Sequence, residues 1–141
     1  MNDLNQHLKS RLSTVTGFLL DMDGTLYVGP HPMTGARAFI SALKHASIPY
    51  LVFTNNSSRA KSVYRDRLGQ MGMATKLEQV LTSGDASADY IAHETQYRRP
   101  FVLGTDALKV ACTQAGLTVC KADESPDCVL LGYDITLTYQ T

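Results

Sequence analysis

The chain has 141 residues, 44% of them hydrophobic and 18% charged, which is enough for an ordinary domain with its own core. Thirteen basic and thirteen acidic residues cancel, so no positive surplus points to a nucleic-acid partner. No apolar stretch approaches the ~20 residues of a membrane helix, and the polar stretch 1–12 lacks the apolar run of a secretory signal.

Residues 1–16 read as a short surface arm. Phe18-Leu19-Leu20, bounded by Gly17, then reads as a buried parallel strand. It runs into Asp21-Met22-Asp23-Gly24-Thr25-Leu26-Tyr27, so two carboxylates arrive at its carboxyl end, where open α/β sheets build their sites. Alternation along the backbone lets Asp21 and Asp23 lean to one side while Met22 leans to the other. Gly24 lets the chain break from the strand and brings backbone N–H groups near a bound anion. Two acids with a metal between them and a phosphate above them make a phosphoryl-transfer site. The plainer reading of Asp-x-Asp-Gly is a strand end and a turn.

Val28-Gly29-Pro30-His31-Pro32 is too rich in Pro and Gly for helix or central strand. Ala36, Phe39, Ile40 and Leu43 recur at helical spacing, and Pro49 marks the exit into a second apolar strand, Tyr50-Leu51-Val52-Phe53. Strand, helix and strand of this length make a right-handed βαβ unit with parallel strands. Parallel strands share their carboxyl edge, so Thr54-Asn55-Asn56-Ser57-Ser58 is expected beside Asp21. A hydroxyl, amides and a helix start form a phosphate receptor. Ser57 or Ser58 is the expected helix cap.

A helix through Ala60, Val63, Tyr64 and Leu68 ends at Gly72. Val80-Leu81-Thr82 is a third strand and residues 83–94 another helix. Phe101-Val102-Leu103 is a strand, followed by a helix through Leu108, Ala111, Cys112 and Ala115, capped by Asp106 in front and Gly116 behind. Leu117-Thr118-Val119-Cys120 and Cys128-Val129-Leu130-Leu131 are read as two further strands. Cys112, Cys120 and Cys128 have no paired C-x-x-C spacing, so zinc is not indicated. Their odd number without a signal suggests reduced thiols, core packing and a cytoplasmic chain.

The seven-residue aspartate string resembles the first motif of the haloacid dehalogenase superfamily, and Thr54-Asn55-Asn56-Ser57 is similar to its second. The resemblance implies that Asp21 is a nucleophile forming an aspartyl phosphate and Asp23 the general acid/base, with Mg²⁺ between them. It further implies that Gly24, Thr54, Asn55 and Asn56 hold the phosphoryl group. Related ion pumps carry Thr two residues after the nucleophile, so Asp23 argues for a phosphatase. The later strings Val102-Leu103-Gly104-Thr105, Ala115-Gly116-Leu117-Thr118 and the stretch 126–134 look like the start of the α/β cap of the NagD-like and 4-nitrophenylphosphatase branch.

Membership of that branch implies a Rossmann-like α/β core with a parallel sheet over residues 17–97 and the beginning of a cap over 98–141. The expected substrate is a small phosphorylated metabolite, without nucleic acid or membrane, and homo-oligomers are an open possibility. The branch also uses a Lys and a Gly-Asp-x-x-x-Asp strand end, expected beyond Thr141, so the chain reads as an N-terminal portion with little turnover alone. Gly84-Asp85-Ala86-Ser87-Ala88-Asp89 imitates that metal string, with Lys76 upstream. Nine positions are too few for the intervening helix and strand, and Asp85 is already accounted for by a helix start. A non-catalytic, partner-binding remnant and a receiver-like domain phosphorylated on Asp21 are the competing readings.

Overall fold

The computed structural model describes residues 10–12 and 14–134; much of the expected N-terminal arm and residues 135–141 of the expected cap fall outside them. Three strands, β1 (Phe18–Asp21), β4 (Tyr50–Thr54) and β5 (Val80–Thr82), form a parallel sheet in the order β1-β4-β5. Between the first two, β2 (Tyr27–Val28) and β3 (His31–Pro32) make a small antiparallel flap, followed by helix α1 (Ala36–His45). Helices α2 (Lys61–Gln70) and α3 (Ser83–Glu94) flank β5 in sequence. A second parallel pair, β6 (Pro100–Leu103) and β7 (Cys128–Leu131), encloses helix α4 (Asp106–Gln114).

The βαβ reading holds because the apolar pattern of each element is satisfied on one side. Ile40 and Leu43 of α1, Tyr64 and Leu68 of α2, Val52 of β4 and Met22 just past β1 are buried together. Full burial of such side chains contributes about 1.5–3 kcal/mol each. Phe39, half-exposed, packs edge-on against Phe18 with ring centroids 5.3 Å apart. A second core gathers Val102, Leu108, Cys112 and Leu117 with Ala88 of α3, so α3 contributes to the packing of the β6–β7 unit.

Gly72 and Gly116 end α2 and α4 as their spacing suggests. Both have positive φ (75° and 88°), and Met73 and Leu117 donate back to the carbonyls of Leu68 and Cys112. Three local expectations need correction. Leu117-Thr118-Val119-Cys120 is not a strand: only Cys120 bridges, to Phe101, because the chain leaves the Gly116 turn irregularly. Asp106 is the first helical residue of α4, and the cap position belongs to Thr105. Ser57 and Ser58 do not cap α2, since the segment after β4 stays irregular until Ala60 takes the cap position. All three thiols are free; Cys112 and Cys120 are buried and Cys128 is partly so.

Candidate active site

The ladder pairs Asp21 with Phe53 and Thr54 with Thr82, so the ends of β1, β4 and β5 lie along one edge. Met22 is fully buried, while Asp21 and Asp23 keep access to solvent, which is the alternation expected of the motif. The carboxylate of Asp21 accepts a long hydrogen bond, 3.4 Å, from the hydroxyl of Thr25. Met22 anchors the turn after it: its carbonyl accepts from the N–H groups of Leu26 and Tyr27 at 2.9 and 3.2 Å.

Gly24 adopts φ 83°, a conformation L side chains rarely take, and this closes the turn. Its N–H donates to the carbonyl of Tyr27 at 2.8 Å. The amide of Gly24 is therefore engaged inside the turn. Gly24 shapes the loop that carries Asp23.

Thr54 is buried at the strand end, and its hydroxyl accepts the N–H of Asn56 at 3.2 Å. Asn56 then accepts the N–H of Ser58 at 2.9 Å through Oδ1. Asn55 is exposed, and its carbonyl accepts from the Ser83 hydroxyl at 2.8 Å. Pleating aligns Thr54 with Val52 on the packed face and Asp21 with Leu19 on the open one. The carboxylates and Thr54 share an edge of the sheet; Asn55 is the more open of the two polar residues there.

Ser57 and Ser58, read as caps, instead join two parts of the chain. The Ser57 hydroxyl accepts the N–H of Tyr133 at 2.8 Å, and the Ser58 carbonyl accepts from the Thr105 hydroxyl at 3.0 Å. A polar cleft of about 220 Å³ lies there, lined by Asn55, Ser57, Ser83, Ser87 and Tyr133 among others. Asp85, the imitation metal acid, is part of a capping box. Thr82 donates its hydroxyl to the carboxylate at 2.6 Å and accepts the Asp85 N–H at 3.0 Å.

Sequence reasoning missed Ser83, although it comes directly after β5 by the same logic that picked Asn55. It also missed Arg67, for which the sequence carries no signal. Arg67 sits on α2 with its guanidinium 4.3 Å from the Tyr27 ring centroid. Burial, then the nearby Asp23 carboxylate, push the Tyr27 phenol up to about 12. The Tyr64 phenol is also raised, chiefly by burial.

Asp21 and Asp23 offer hard oxygen donors at an exposed edge, which suits a hydrated Mg²⁺ held through one or two carboxylates. Among the described residues no group of three or more His, Cys, Asp or Glu is arranged for a metal. No helix of the described residues is long and apolar enough to cross a membrane.

Comparison with known proteins bears on this edge. The profile of the haloacid dehalogenase-like hydrolases matches residues 18–118. An acid sugar phosphatase of Staphylococcus haemolyticus is 41% identical over 124 residues, 88% of this chain and 47% of that protein. A 4-nitrophenylphosphatase from Thermotoga maritima superposes with a TM-score of 0.83 at 36% identity, over 92% of this chain and 49% of its own. A glycerol phosphate phosphatase from Mycobacterium tuberculosis, crystallised with magnesium, gives 0.78 at 28% identity, over 89% and 38%. The chain spans about half the length of the curated relatives it matches.

Proposed function

The chain belongs to the haloacid dehalogenase-like hydrolases, in their NagD and 4-nitrophenylphosphatase branch, and from that premise we propose that it carries the nucleophile half of a Mg²⁺-dependent phosphomonoesterase. The observation that supports this most is the parallel pairing of β1 with β4, which brings the Asp21–Asp23 motif and the Thr54–Asn55 segment to one edge. In this reading residues 17–97 form the core portion and 98–141 begin the cap.

Asp21 attacks phosphorus in line, forming an aspartyl phosphate as the ester P–O bond breaks. Asp23 gives its proton to the departing alkoxide, then takes one from the water that releases orthophosphate and restores Asp21. Asn55 and the Thr54 hydroxyl orient the phosphoryl oxygens; Gly24 and Asn56 act by shaping their loops. The Asp21 carboxylate and the Asp23 carbonyl would hold Mg²⁺, which would supply positive charge to the phosphate. Small sugar or polyol phosphates are the substrate class, by analogy with what the acid sugar phosphatase and glycerol phosphate phosphatase names state.

The test is Mg²⁺-dependent phosphate release from 4-nitrophenyl phosphate and sugar phosphates, comparing the chain with Asp21→Asn. Each missing electrostatic stabiliser of a transition state costs about 10²–10³ in rate, so turnover near background is expected, with any remaining activity lost in Asp21→Asn. Robust turnover indifferent to Asp21→Asn would refute the reading. A partner-binding role is the second reading, favoured by the exposed Leu19 and Phe53 on the open sheet face.

A further inference from the structure

The two halves of the site are carried by loops between which no hydrogen bond is found among the described residues, yet both are gripped by one helix. On α2, Tyr64 and Arg67 are three residues apart and so share a face. Arg67 donates through Nη2 to the Gly29 carbonyl at 2.5 Å and lies over the Tyr27 ring. Tyr27, fully buried, in turn accepts the Gly24 N–H and bridges to Asp23. One turn earlier, Tyr64 donates its hydroxyl to the Asn56 carbonyl at 3.4 Å.

We propose that α2 is a bracket that sets the spacing between the Asp21–Asp23 loop and the Thr54–Asn56 loop, with Arg67 and Tyr64 as its positioning residues. Neither side chain touches the reacting atoms. Arg67 acts through Tyr27 on the backbone of Asp23 and Gly24, and Tyr64 acts through Asn56 on the loop after β4. The link through Arg67 is the stronger, since it combines a charge-assisted hydrogen bond with a cation over an aromatic face. The Tyr64 bond is long, so its loss is the smaller perturbation. Both phenols register this closeness: burial first, and the Asp23 carboxylate with it, push the Tyr27 and Tyr64 pKa up, while the Arg67 guanidinium pulls both down. The consequence for phosphate binding rests on the phosphatase reading above; the bracket itself does not.

Amide hydrogen exchange on the whole chain tests the bracket without reference to activity. Arg67→Met keeps the stem and removes the charge, the donor and the stacking. It is expected to speed exchange at Gly24, Tyr27 and Met33 by about tenfold or more. The β4–β5 ladder and α3 amides should change less than about twofold. Arg67→Lys, which restores a cation, should recover part of the protection, and Tyr64→Phe should loosen the Asn56–Ser58 segment alone. Unchanged flap exchange in Arg67→Met, or an equal rise everywhere with no recovery in Arg67→Lys, would overturn the proposal.

A second arm titrates inorganic phosphate with Mg²⁺ and tracks the Asn55 amide. Weakening of about tenfold in Arg67→Met, partly restored in Arg67→Lys, is the expected result. Equal affinity in a variant whose flap is loosened would refute the positioning role. If the unmodified chain does not respond to phosphate at all, the phosphatase reading fails, while the exchange data still judge the bracket.

Discussion

Asp21 stands directly across the β1–β4 ladder from Phe53, one residue short of the level at which Thr54 ends its own strand. A parallel register therefore delivers an acid and a hydroxyl to the same rim from segments more than thirty residues apart in sequence. It also fixes what surrounds them, because Asp21 shares its face with Leu19, Leu51, Phe53 and Leu81.

That face is expected to make the chain sticky. Leu19 is 74% exposed in a strand whose apolar sequence is of the kind parallel sheets bury on both sides. A groove of about 370 Å³ runs along it, lined by Leu19, Leu51, Phe53 and Leu81 among others. Leu19→Lys should reduce concentration-dependent association in light scattering without lowering thermal stability. Identical association in this variant would place the contact elsewhere.

The Thr82–Asp85 capping box should be worth about 1–2 kcal/mol. Thr82→Val keeps the side-chain shape at this buried position and removes the hydroxyl that Asp85 both donates to and accepts from. For a chain of this size the expected fall in Tm is about 3–8 °C. A Tm within 1 °C of the parent, taken as roughly the scatter of a melt, would show that solvent replaces the box.

Stability should drop in alkali through Tyr27. The folded phenol is raised from 10.0 to about 12, so the folded chain holds this proton where the unfolded chain has released it. Stability from this group is complete below pH 10 and declines as the pH climbs towards 12, by an amount on the order of 2–3 kcal/mol. Denaturant titrations at pH 9 and pH 11.5 should therefore differ less in Tyr27→Phe than in the parent. Equal slopes would argue against the buried phenol.

Among the described glycines, Gly132 leaves the least room for a side chain. A Cβ there would lie 2.9 Å from the Ser57 hydroxyl and still closer to Leu108 Cδ2. Leu108 is 2% exposed within the second core and has little room to yield. Gly132→Ala should cost about 1–3 kcal/mol by overpacking and break the Ser57–Tyr133 bond. Crystallography or amide exchange at Tyr133 would report the second effect directly, and a variant with both intact would refute it.

Much of this was legible because it depends on short-range pattern. The i, i+4, i+7 apolar spacing of Ala36, Ile40 and Leu43 has one good solution, and so does the carboxyl-edge convergence of Asp21 and Thr54. Residues 117–120 misled because Val and Cys favour strands, whereas tertiary pairing, which the sequence does not display, amounts to the Thr118 N–H on the Arg98 carbonyl and one bridge at Cys120. Ser57 and Ser58 misled for a related reason. Their hydroxyl and carbonyl groups are recruited by Tyr133 and Thr105, and no local rule anticipates partners so distant. Arg67 is the sharpest case: its position over Tyr27 exists only once the flap folds back on α2.

The bond from Tyr133 to Ser57 draws together residues 76 positions apart. It ties off everything between them like the neck of a bag. Helix α4 starts at that mouth, where Thr105 bonds Ser58, and the Gly116 turn follows its opposite end, so drift in the turn's length or composition need not disturb the mouth. Substitutions in that stretch could then accumulate while the sheet edge that carries Asp21 and Asn55 keeps its place.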